Sequence, residues 1–309
     1  MRQRTGKRSD EESLVSQQPV GANFDYAYEG ASTTEYPATM SSFNLWVFKK
    51  DNDNNYNYWR GLFGNFVSSL LAGFLFLLIA SWSAIQQAQF SSGVITVALA
   101  QGVGVWFILL ATGAVSADFN PTVTLYEMFL PHWRRKIVVE ASGRKQVTRS
   151  WLKASGLAAT VVIGAFIGSL LGALLGGALD KGNAHFRGTP VVNIDAGVGW
   201  EGALLVETMG SFIWMWAYLV AYQDRYRTFI PNPEVFLSFV WTMVVLLGYN
   251  YTGASYNWWR HLACAIVGGI FGEPEAAHAW TYYVGPVIGH LVVIIWFFVQ
   301  RNSKIVKDK

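Results

Sequence analysis

Six apolar stretches follow a long polar opening and are separated by short polar breaks. They run Leu62 to Ile85, Val94 to Val115, Ala154 to Leu179, Ala203 to Tyr222, Val235 to Asn250 and Tyr282 to Val299. Each is near the roughly 20 residues that a helix needs to cross a bilayer. The fifth is the shortest, and it begins near the Pro231-Asn232-Pro233 break. Two weaker apolar runs, Val123 to Leu130 and Leu262 to Ile270, come after the second and the fifth stretch and are too short to cross. The pattern therefore predicts an all-α membrane protein: three spans with a half-helix after the second, then the same again. An odd number of spans per half makes the two halves run in opposite senses.

The loops supply the orientation. Arg134, Arg135, Lys136, Arg144, Lys145, Arg149 and Lys153 follow the first half-helix. Lys49, Lys50 and Arg60 precede the first span, Arg225 and Arg227 follow the fourth, and Arg301, Lys304, Lys307 and Lys309 end the chain. The other loops carry only Lys181 and Arg187, set against Asp180 and Asp195. The positive-inside rule then places both termini in the cytoplasm, of a plasma membrane or an internal one. That requires an even number of spans, and six fits.

Composition narrows the class. The 309 residues are 52% hydrophobic and 14% charged, with 14 Trp and 20 Phe, which is no ordinary soluble domain. A net charge of +3 is too small to imply a nucleic-acid partner. The one cysteine, Cys264, cannot form an internal disulfide. Residues Met1 to Ser42 are polar, show no cleavable signal peptide, and read with the rest of 1–58 as a mostly disordered cytoplasmic tail. Within it Phe43-Asn44-Leu45-Trp46-Val47-Phe48 is largely apolar and could lie in the membrane interface or against the bundle. The membrane domain is expected over 59–300, with halves of about 59–180 and 200–300, and 301–309 as a short cytoplasmic tail.

The chemistry concentrates in Ala117-Asp118-Phe119-Asn120-Pro121-Thr122-Val123-Thr124 and Thr252-Gly253-Ala254-Ser255-Tyr256-Asn257-Trp258-Trp259-Arg260. Each places an Asn at the start of a short helix-forming run. Asn is a good helix N-cap, and its amide keeps donors free. Irregular backbone at membrane depth is tolerated only where it lines a water-filled cavity or is buried in protein. Two such elements, one in each half, point to a pore built from an inverted repeat. A lone Asn-Pro is more commonly a plain helix start; the duplication in context overturns that reading. A secondary transporter would want an ion-binding cluster at the midplane, and only Glu207 is offered. An enzyme is less expected still, since no convergent His, Asp, Ser or Cys set appears. The five histidines, His132, His185, His261, His278 and His290, are scattered. No metal or nucleotide motif is present, so no cofactor is expected. The spacings Gly164 to Gly168 and Gly168 to Gly172 are close-packing signatures of membrane helices.

Roughly residues 60 to 300 resemble the aquaporin (major intrinsic protein) family. The segment Ser116 to Leu125 is similar to that family's first Asn-Pro-Ala loop, one residue shorter just before it. Asn250-Tyr251-Thr252-Gly253-Ala254-Ser255 with Asn257 and Arg260 looks like the approach to the second loop. Leu205-Val206-Glu207, Gln223-Asp224-Arg225 and Val284-Gly285-Pro286-Val287-Ile288-Gly289 are similar to the start and exit of its fourth helix and the start of its sixth. The resemblance implies six membrane helices with two re-entrant half-helices, passage of water or a small neutral solute such as glycerol, exclusion of ions and protons, and a homotetramer in the lipid bilayer. It implies that Asn120, Pro121, Thr122, Asn257, Trp258 and Trp259 open the half-helices, that Asn120 and Asn257 orient a permeating water, and that Gln101, Val245, Ala254 and Arg260 form the selectivity constriction. It also implies that Glu207 holds the second loop, with Asn65 at the matching place in the first half, where the family has a second glutamate. Glu127, inside the first half-helix, reads as cytoplasm-facing.

The departures are specific. The second loop reads Asn257-Trp258-Trp259 where the family has Asn-Pro-Ala. Trp258 gives up the preset φ of a proline at the first helical position. Water-selective members carry an aromatic ring and a His at the first two constriction positions, whereas Gln101 and Val245 stand here. If Trp258 points into the junction of the half-helices, water permeability is low and the protein serves a structural or assembly role. If the indoles pack outward, they stabilise the bundle through buried area instead.

Overall fold

A computed structural model of the protein describes residues 54–112, 119–127, 135–140, 143–148, 151–180, 189–190, 197–222, 230, 232–270 and 278–305. All fall within one compact unit, Ser41–Lys309. The tail to residue 53, Ala117-Asp118 and Pro231 lie outside the described residues. Among those described, eight helices follow in order: α1 (Asn54–Phe90), α2 (Val94–Thr112), α3 (Pro121–Glu127), α4 (Trp151–Leu179), α5 (Trp200–Tyr222), α6 (Pro233–Thr252), α7 (Trp258–Ile270) and α8 (Thr281–Ile305).

Helices α1, α2, α4, α5 and α6 are each long and apolar enough to cross a membrane, while the apolar part of α8, Thr281–Phe297, is shorter; α8 runs 25 residues in all and packs on α5 as α4 packs on α1. Helices α3 and α7 are the half-helices. The ends run past the apolar stretches because hydropathy marks only what sits in hydrocarbon, while the backbone ladder continues into the interface. Thus α1 begins at Asn54, through Tyr56, Tyr58 and Trp59, and α8 continues to Ile305. Between α3 and α4 the chain also forms a two-stranded antiparallel hairpin, β1 (Arg135–Glu140) and β2 (Gly143–Thr148), registered from Arg135↔Thr148 to Glu140↔Gly143. Apolar side chains such as Phe63, Ile95, Leu205, Phe239 and Leu247 lie exposed on α1, α2, α5 and α6. A surface of that kind suits lipid and would be a liability in water.

The inverted repeat is visible in which helices touch. Helix α1 packs on α4 as α5 packs on α8, and α1 meets α2 as α5 meets α6. Each half-helix crosses over: α7 packs on α4 of the first half, and α3 on α8 of the second. Helix α2 packs on α6, and α3 touches α7. The closest approaches rest on glycine. A Cβ on Gly164, Gly168 or Gly172 of α4 would run into the carbonyl oxygens of Phe66, Leu70 and Phe74 on α1. On α8, Gly285 and Gly289 make the same approach to Glu207 and Thr208 of α5. Without a hydrophobic drive between helices in lipid, this backbone proximity is what holds them together.

Those contacts also align the two halves. An added Cβ on Gly164 would stand 3.3 Å from Leu70 N, and one on Gly285 3.2 Å from Thr208 N. On Gly168 and Gly289 it would stand 2.8 Å from Phe74 N and from Phe212 N. Leu70 thus matches Thr208 and Phe74 matches Phe212. One residue earlier, Ser69 of α1 matches Glu207 of α5.

Candidate pore and its lining

The half-helices start from mirrored caps. Asn120 Oδ1 accepts from Thr122 N (3.2 Å) and Asn257 Oδ1 accepts from Trp259 N (2.9 Å), so each side chain satisfies one of the orphan N–H groups at its own helix start. Each amide also reaches the opposite loop. Asn120 Nδ2 donates to the Tyr256 carbonyl (2.9 Å) and Asn257 Nδ2 to the Phe119 carbonyl (2.8 Å). Two positive dipole ends are thereby held face to face, which is costly without such ties and supplies a positive field at their meeting point. Pro121 opens α3 at the position where a missing N–H costs nothing.

Trp258 stands at that position in α7, and its indole turns away from the junction: Nε1 donates to the Tyr283 carbonyl on α8 (2.8 Å). The ring of Trp259 lies 4.7 Å from that of Phe166 on α4. Both indoles therefore pack into flanking helices. Of the two arrangements open to the pair, this geometry matches outward packing, because α8 offers a carbonyl and α4 a ring within reach of the first turn of α7.

The second loop is gripped from below by Glu207. Its carboxylate accepts from Thr252 Oγ1 (2.6 Å), Ser255 N (3.1 Å) and Tyr256 N (2.7 Å). Tyr282 OH donates to the Thr252 carbonyl (2.8 Å). The grip matters because Ala254 and Tyr256 both have φ near 51°, a left-handed conformation that non-glycine residues hold only when the surroundings impose it. On the other side Arg260 donates to the carbonyls of Ala254 and Gly253, the latter at 3.0 Å. It also reaches Gln101 Oε1 at 3.4 Å, and Gln101 Nε2 reaches Ser83 Oγ at 3.4 Å. Gln101, Ala254 and Arg260 thus form one hydrogen-bonded group, while Val245 on α6 shares the buried core with Ala254. Arg260 is only 1% exposed, and a cation so deep in a membrane protein is normally functional.

Two supporting residues escape a reading of the sequence. Tyr256 sends its ring between Gly210 of α5 and Gly248 of α6, where any Cβ would collide with it, and its hydroxyl donates to the Val244 carbonyl (2.9 Å). The two glycines inside otherwise bulky spans were the available signal. In the first half, Ser69, fully buried, occupies the place of Glu207, whereas Asn65 lies one turn away and is half-buried. Helix register, which hydropathy does not report, separates the two. Glu127 ends α3; its side chain is outside what the structure describes.

Comparison with known proteins follows the same lines. The sequence pattern described as "Major intrinsic protein" matches residues 146–297. Aquaporin-2 of Rattus norvegicus is 27% identical over 228 residues, covering 73% of this chain and 74% of its own. The lens fiber major intrinsic protein of Lithobates pipiens is 26% identical over 246 residues, 79% of this chain and 80% of its own. Among solved structures, the aquaglyceroporin from Plasmodium falciparum superposes with a TM-score of 0.57 at 16% identity, over 76% of this chain and 95% of that one, which supports the fold. With its two half-helices tied at their Asn caps and these matches in sequence and fold, the chain is similar to the major intrinsic protein (aquaporin) family of membrane channels.

Proposed function

We propose that this protein is a passive channel for water and small neutral, glycerol-like solutes that excludes ions and protons. The observation that carries the reading is the reciprocal tie between half-helices: Asn257 Nδ2 to the Phe119 carbonyl and Asn120 Nδ2 to the Tyr256 carbonyl. It sets two amides and two positive helix ends at one point. A water passing there accepts hydrogen bonds and turns its own hydrogens outward, which interrupts a proton wire, while the field repels cations. Arg260 adds a fixed positive charge at the outer constriction. With Gln101 and Val245 in place of a ring and an imidazole, the lining favours small neutral solutes over strict water selectivity. The Lys and Arg distribution supports both termini in the cytoplasm, and family resemblance supports a homotetramer.

Osmotic swelling of proteoliposomes in water, glycerol and urea gradients tests this directly. Vesicles bearing the protein should respond faster than protein-free ones and pass no cation. Arg260→Ala should stay folded and raise leakage of small cations or protons. Ion leakage identical to wild type removes Arg260 from the constriction, and wild-type swelling no faster than bare lipid defeats the channel reading unless a variant opens it.

A second reading, a poorly conducting member with a structural or assembly role, draws on burial. Asn120 and Asn257 at the junction and Val245 and Ala254 at the constriction are 0% exposed, so none of these four presents surface to a water molecule.

A further inference from the structure

The space around the junction is filled by rings. Phe119, whose carbonyl ties Asn257, stacks on Phe76 of α1 with centroids 4.4 Å apart. Trp241 of α6 sets its edge against Phe76 (5.3 Å) and against Phe119 (5.8 Å). Trp214 of α5 meets Trp241 at 4.8 Å, nearly perpendicular, and Phe119 at 5.9 Å. Tyr256, which precedes the Asn257 cap, lies 6.2 Å from Trp241. All five are 2% exposed or less.

Their placement is not that of ordinary core. Ser69 and Glu207 are matched positions, and Phe76 and Trp214 each follow two helical turns later on the same face. They are therefore mates across the inverted repeat, brought to the middle of the molecule from opposite halves. Trp241 sits one turn before Val245, the constriction position on α6. The rings thus converge from three spans and both loops on the point where the half-helices meet.

The polar atoms give the second observation. Trp214 Nε1 and Trp241 Nε1 are buried and have no hydrogen-bond partner among the described residues. An indole N–H can only donate, and buried donors are normally satisfied. Two neighbouring ones left open call for an acceptor that comes and goes.

We propose that Trp214 and Trp241, closed against Phe76 and Phe119, form a second constriction at the Asn junction and set the rate and selectivity of permeation. Its faces are apolar, and apolar constrictions resist wetting. With the rings in contact, passage requires the two indoles to part. Their N–H groups then become donors for whatever carries a hydrogen-bond acceptor through: water, a polyol or an amide. An ion gains too little there to replace its hydration. This inference rests on the channel reading and names the residues that limit it.

The test is proteoliposome swelling of Trp214→Leu, Trp241→Val and the double variant, each checked for folding by thermal unfolding and size exclusion. The double variant should raise water permeability several-fold, each single one less, and glycerol and urea should gain with water. Trp214→Phe keeps a smaller aromatic ring and removes the N–H; it should gain less water permeability than Trp214→Leu and lose discrimination among acceptor-bearing solutes. Wild type faster than bare lipid, with a folded double variant no faster than wild type, overturns the second constriction and leaves the channel standing. Wild type and a folded double variant both as slow as bare lipid overturn both. Wild type slow and the double variant fast supports both. Should the double variant not fold, the single ones decide: a folded Trp241→Val no faster than wild type overturns the proposal.

Discussion

Changing Trp258 to Pro and Trp259 to Ala would restore the residue types usual in this family and test where the indoles point. The structure turns them outward, so the change removes packing and leaves the lumen as it was. The Trp258 Nε1 bond to the Tyr283 carbonyl is lost, worth about 0.6–1 kcal/mol in a membrane setting. The acceptor belongs to a helical carbonyl and is not orphaned. The Trp259–Phe166 ring pair goes too, worth about 0.5–1.5 kcal/mol. Both indoles are only half-buried, and surface returned to lipid costs little, since lipid is as apolar as the bundle. Proline at the first helical position gives back a few tenths of a kcal/mol to about 1 kcal/mol by restricting the unfolded chain. The net expectation is a loss of about 1–2 kcal/mol, read as a fall of a few degrees in the unfolding midpoint in detergent. Osmotic swelling per folded protein should not rise. A variant that keeps its midpoint and swells several-fold faster would place an indole in the lumen and refute the reasoning.

Other expectations follow from the same contacts. Glu207→Ala leaves the buried N–H groups of Ser255 and Tyr256 without their acceptor; at roughly 1–3 kcal/mol each, it should cost about 2–6 kcal/mol in thermal unfolding, with Glu207→Gln intermediate. Gly168→Ala drives a methyl into the Leu70 carbonyl and should cost about 1–3 kcal/mol. Gly269→Ala meets nothing within 4 Å and should be neutral or gain up to about 1 kcal/mol; equal effects at the two glycines would discredit the α1–α4 contact. Tags at Met1 and Lys309 should be accessible from the same face, and labelling from opposite faces would remove the inverted repeat.

Spans, half-helices and Asn caps could be read along the chain because each depends on residues close in sequence. Crossing a bilayer needs a run of apolar residues, and capping a helix needs one side chain two residues from its target. Glu207 stood out for the same reason, as a charge inside an apolar run. Arg260 and Gln101 were placed by their spacing from the two Asn residues, and the structure brings them together directly, Arg260 donating to Gln101 Oε1 as well as to the carbonyls of Gly253 and Ala254. What lay beyond reach depended on partners far apart in sequence. Trp258 and Trp259 look alike in any reading of the loop, and only Tyr283 and Phe166 decide that both turn away from it. Asn65 and Ser69 differ by one turn of an apolar helix, and only the glycines of α4 and α8 say which one stands opposite the loop. Phe76, Trp214 and Trp241 are three aromatics among many; their meeting at the junction is created by the antiparallel docking of two halves, which no local pattern encodes.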